Sequence, residues 1–60
     1  MIVNVKDTSG DYMMVYKNVL TVVESPDIFI VCNADGTTAT YHWEDDDRRW
    51  TWEQQMPFYV

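Results

Sequence analysis

Residues 28–43, IFIVCNADGTTATYHW, decide how this chain folds. Two runs rich in β-branched and aromatic side chains flank Asn33-Ala34-Asp35-Gly36. That pattern predicts a β-hairpin whose type I turn ends on a glycine in the left-handed region, where a Cβ would clash. The turn sets a register. Val31 faces Ala39 and Phe29 faces Tyr41 on one side of the sheet, and Ile30 with Thr40 and Cys32 with Thr38 lie on the other. The first run is apolar on both faces, which predicts a central strand with something covering each side.

Working outward towards the N-terminus, Ser25-Pro26-Asp27 is turn chemistry, because Pro26 has no amide hydrogen to give to a ladder. Before it, Val19 to Glu24 (VLTVVE) reads as a strand whose Leu20 and Val22 lie on one face and Val19 and Val23 on the other. Tyr12 to Tyr16 (YMMVY) reads as another strand, close enough to Met1–Lys6 to form a hairpin across the turn cluster Asp7-Thr8-Ser9-Gly10-Asp11. The competing reading is a helix over 12–24, since Met13, Tyr16, Val19, Leu20 and Val23 also fall at helical spacing. Branched and aromatic side chains lose rotamer freedom in a helix, which favours strand. Towards the C-terminus, Glu44 to Arg49 is a charged connection. Trp50 to Gln54 alternates aromatic and polar residues as a half-buried strand does, and beyond Pro57 the residues Phe58-Tyr59-Val60 form a short edge strand or a frayed apolar tail. The expected fold is therefore a single all-β domain over 1–60, an antiparallel meander of five or six strands curled into a sheet or small open barrel. Its expected core holds Phe29, Val31, Tyr41, Val22, Leu20 and at least one tryptophan.

Sixty residues bury only about 60% of the surface that the unfolded chain exposes. A chain this short needs support, and its single cysteine rules out an internal disulfide. Nine aromatic residues exceed what so small a core can easily hide, so a two-fold homodimer is expected. Ten acidic against four basic residues give a net charge of −6. That balance argues against nucleic-acid and anionic-membrane binding and points to a basic partner. The first residues have neither the basic start nor the apolar core of a signal peptide, so a reduced, cytoplasmic location is expected.

No cofactor or catalytic motif is present. Glu44-Asp45-Asp46-Asp47 lacks the alternating ligands and turn glycine of a calcium loop, and Arg48 and Arg49 oppose a cation, so no metal is expected. The plain reading of this run is a solvated hairpin tip whose charges partly neutralise one another; the sharper one is recognition of a basic partner. His42 stands alone, on the face opposite Tyr41 and Trp43, with no nucleophile at motif spacing. Cys32 has no basic neighbour to lower its pKa and reads as a structural thiol. Trp43, Trp50 and Trp52 flank the charged loop and supply either core or, beside Arg48, Arg49 and the four carboxylates, an interface hot spot.

Val19 to Tyr41, VLTVVESPDIFIVCNADGTTATY, resembles the small β-meander proteins, mostly uncharacterised, that phages and mobile elements of Gram-positive bacteria encode. The resemblance implies a cytoplasmic, non-enzymatic accessory protein, in some cases an inhibitor of a host or defence protein, and carries over no functional residue. The residues and the resemblance lead to one expectation: an acidic binding protein that meets a basic partner through Trp43–Arg49, Trp50 and Trp52. A structural subunit acting through homo-oligomerisation is the alternative. An enzyme is disfavoured, because so small a sheet offers little volume for a pocket.

Overall fold

In the computed structural model, which describes residues 1–55, the chain forms six strands: β1 (Ile2–Asp7), β2 (Met13–Tyr16), β3 (Val19–Glu24), β4 (Ile28–Asn33), β5 (Thr38–His42) and β6 (Trp50–Gln55). None of the described residues is helical, so the stretch 12–24 resolves as two strands. The expected tail at Phe58-Tyr59-Val60 lies outside the described residues.

The central hairpin forms in the register its turn requires. Phe29 pairs with Tyr41, Ile30 with Thr40, Val31 with Ala39 and Cys32 with Thr38. Gly36 takes φ +90°, its amide donates to the Asn33 carbonyl at 3.1 Å, and the Asn33 amide donates to Thr37. Asp35 accepts from both the amide and the hydroxyl of Thr37, and these bonds hold its carboxyl below the usual range.

The strands divide into two antiparallel three-stranded sheets, ordered β2-β1-β6 and β3-β4-β5, which do not close into a barrel. Within each sheet, strands adjacent in the chain pair as in a meander. One pairing is not sequential: β6 returns to lie beside β1, with Val5 opposite Trp52 and Asp7 opposite Trp50. The sheets share one apolar cluster, Val3 and Val5 from the first and Val19, Phe29 and Val31 from the second. Phe29 stacks on Tyr41 with ring centroids 5.3 Å apart and meets Trp43 at 4.6 Å, contacts that add to plain burial. Tyr16 and Tyr41 join their hydroxyls across the two sheets, and burial, aided by this bond, pushes the Tyr41 hydroxyl well above its usual pKa. Met1 and Val19 exchange backbone bonds in both directions, a second stitch between the sheets.

Two expectations about burial are corrected. Leu20 is 70% exposed rather than in the core, because β3 carries a bulge: Val19 opposes Asn33 and Thr21 opposes Cys32, which leaves Leu20 as an extra residue. The bulge shifts the side-chain alternation, so Val19 and Val22 share the inner face three residues apart. The central strand β4 is also covered on one side only. Phe29 and Val31 are buried, whereas Ile28, Ile30 and Cys32 stay half-exposed on the outer face, where no further layer of the described residues lies over them. Val22, Tyr41 and all three tryptophans pack against the core while remaining partly accessible.

Candidate functional site

The charged connection is a hairpin tip. The Trp50 amide donates to the Trp43 carbonyl at 2.9 Å, Glu44 bridges Arg49, and the Asp45 amide closes the turn on the Arg48 carbonyl at 2.7 Å. Asp45 also accepts from the Asp46 amide. Arg49 pairs with Glu44 across the tip at 3.3 Å, both side chains about 70% exposed, so this pair neutralises charge without adding much stability. Asp45, Asp46 and Asp47 are exposed, and none of them is in an ion pair among the described residues.

Arg48 behaves differently from its neighbour. Its guanidinium turns inward to Asp7 at 3.5 Å and lies over the Tyr12 ring, 4.3 Å from the centroid, with Trp50 behind it. Asp7 is the one buried charged residue among the described residues. Burial acts to raise its pKa, but the Ser9 hydroxyl and the amides of Gly10, Asp11 and Tyr12 all bind the carboxylate, and together they hold it below its ordinary value. Asp7 thus orders the β1–β2 loop and anchors the tip through Arg48. The signal for it lay in the sequence: an aspartate followed at two and three residues by Ser9 and Gly10 is the pattern of a side chain that caps its own turn.

The tryptophans serve mainly the core. Trp43 donates its indole N–H to the Ser25 carbonyl at 2.7 Å and rests on Phe29; Trp50 meets Tyr41 at 5.3 Å; Trp52 sits opposite Val5. Of the three, Trp43 also lines an open depression, with Pro26, Asp27, His42 and Glu44, of about 610 Å³.

Backbone bonds gather three loops at one end of the molecule. The Thr8 amide reaches the Arg49 carbonyl, and the Trp43 amide reaches the Asp27 carbonyl. Asp7 and Asp11 from the first loop, Glu24 and Asp27 from the second, and Glu44 to Asp47 from the third therefore share this end with Arg48 and Arg49. Eight of the ten carboxylates lie here with two of the four cationic side chains. The opposite end presents Lys17 and Asp35 beside a second open depression. Despite the crowd of carboxylates, no three His, Cys, Asp or Glu side chains among the described residues converge closely enough to hold a metal ion. What the arrangement offers is a concentrated negative field around an open surface of about 540 Å³ formed by Thr8, Ser9 and the tip.

Among the described residues no helix is long and apolar enough to cross a membrane. Comparison with known proteins returns no matching family model, no similar curated protein and no similar solved structure.

Proposed function

We propose that this protein is a small non-enzymatic binding protein whose acidic end docks on a basic surface of a partner protein. The observation that carries this reading is the convergence of three loops, which brings eight carboxylates and two arginines to one end while each arginine is already paired with a carboxylate. Asp45, Asp46, Asp47 and Asp27 are exposed and outside any ion pair among the described residues, on two loops joined by the bond from the Trp43 amide to the Asp27 carbonyl. Carboxylates clustered in this way speed encounter with a cationic partner and fix its orientation. Trp43 and the exposed Tyr12 ring supply apolar contact at the rim. Basic surfaces that bind nucleic acid suit such an array, because clustered carboxylates imitate phosphate charge. The role agrees with what is implied by the resemblance of Val19 to Tyr41 to small, mostly uncharacterised phage and mobile-element β-meander proteins, some of which are inhibitors.

The test is capture of a basic protein from a lysate of a Gram-positive bacterium, using wild type, an Asp45/Asp46/Asp47→Ser variant and an Asp27→Ser variant. The reading expects one protein of basic composition, held at low salt, weakened as ionic strength rises and weakened by substitution in either loop. Capture that ignores salt, or that survives both variants unchanged, refutes it.

A further inference from the structure

We infer that β2 is the pairing edge of a two-fold dimer, joining a second copy of this chain antiparallel about Met14, so that Asp11 of each protomer meets Lys17 of its partner. Strand β2 is an edge strand without the usual protection against pairing. Met13, Met14 and Val15 are 64%, 54% and 43% exposed, and no proline, charge or bulge interrupts them. Of the other edges among the described residues, β3 carries the bulge at Leu20 and β6 carries Glu53, while β5 has neither but exposes only the polar Thr38, Thr40 and His42. Strand β2 is therefore the one edge with exposed apolar side chains along an unbroken ladder.

The backbone is already set for this pairing. Residues of β1 and β2 pair without a break in register, and the Asp7 amide donates to the Tyr12 carbonyl. Ladder bonds alternate along an antiparallel pair, so Tyr12, Met14 and Tyr16 direct their amides and carbonyls at β1, while Met13 and Val15 direct theirs to the open edge. A two-fold axis at Met14 makes Met13 of one protomer and Val15 of the other a hydrogen-bonded pair, twice over. It also places the two Met14 side chains directly opposite each other, about 4.5 Å apart at Cα, beside the inner face of the sheet.

Charge selects this register and this partner. The apolar strand is flanked by Asp11 on one side and Lys17 on the other, each three residues from Met14, so the axis sets each acid against the partner's base. Neither side chain has an ion-pair partner of its own among the described residues. Antiparallel pairing also points the two acidic ends away from each other, and lays each Lys17 beside the negative end of the neighbouring copy. The product is a continuous six-stranded sheet, β6-β1-β2 followed by its symmetry mate.

Sedimentation equilibrium across a concentration series tests the assignment, with circular dichroism confirming that each variant is folded. Wild type is expected to dimerise. Lys17→Asp and Asp11→Lys each replace two attractions by two repulsions and weaken the dimer about tenfold. The double exchange Asp11→Lys/Lys17→Asp restores it to near the wild-type constant. Met14→Lys, at an exposed position that the monomer tolerates, sets like charges face to face on the axis and weakens it by more than tenfold. Wild type that stays monomeric at high micromolar concentration overturns the proposal, as does a dimer indifferent to Met14→Lys. A double exchange no better than its single parents overturns the register.

Discussion

Val19 and Leu20 are neighbours with similar side chains and opposite fates, and truncating each to alanine measures the bulge directly. Val19 is 3% exposed and sits in the cluster with Phe29 and Val31; Leu20 is 70% exposed. Val19→Ala removes two methyl groups from that cluster, a transfer loss of about 1.6 kcal/mol at ~0.8 kcal/mol per carbon, and the cavity left behind brings the cost to about 2 kcal/mol. A 60-residue domain has only about 3–9 kcal/mol of stability in total, so this is a large fraction of it. The corresponding fall in Tm is about 8–16 °C. Leu20→Ala removes three carbons that are already in water and is expected to change stability by less than about 0.5 kcal/mol. Urea unfolding at low micromolar protein concentration, followed by tryptophan fluorescence, reads both variants in one assay. The tryptophans pack on the same cluster and report its loss. Equal costs at the two positions, or a larger cost at Leu20, would mean that β3 runs without its extra residue and that Leu20 points inward.

Two further outcomes follow from the turns. Gly36→Ala places a Cβ in open space at φ +90°, so its cost is backbone strain alone, about 1–2 kcal/mol by thermal or urea unfolding; a neutral result would refute the left-handed turn. Asp7 is held below its ordinary value of 3.8 in the folded state, so its carboxylate stabilises the fold above that pH and loses the contribution as pH falls through the lower folded value. Asp7→Asn is therefore less stable than wild type at neutral pH and shows a shallower loss of stability on acidification below about pH 4. Parallel pH profiles for the two proteins would show that the carboxylate is not held in this way.

The hairpin from Ile28 to His42 was legible to the level of individual pairs, because its information is local: a glycine that must take positive φ fixes the turn, and the turn fixes every partner along the ladder. The bulge at Leu20 was not legible by the same route. One added residue reverses the side-chain alternation without altering composition, and VLTVVE offers an apolar residue to either face in either phase. The second face of β4 misled for a related reason. Ile28, Ile30 and Cys32 look like buried residues, yet six strands split evenly between two sheets leave one outer face per sheet that no other described residues cover.

The acidic end was half legible, and the missing half depended on topology. Glu44 to Arg49 announced itself as a charged tip, but Asp7, Asp11, Glu24 and Asp27 joined it only because β6 returns to β1 and because Trp43 bonds back to Asp27. Such long-range pairing has no local signal in a sequence. It also reassigned Arg48: read along the chain it belongs with Arg49 on the surface, whereas in the fold it reaches the buried Asp7 through the aromatic gap between Tyr12 and Trp50. The same residue that orders the first loop thereby draws in the cation that would otherwise dilute the tip. The exposed carboxylates at this end are consequently less offset by Arg48 than the run of four acids followed by two arginines in the sequence implies.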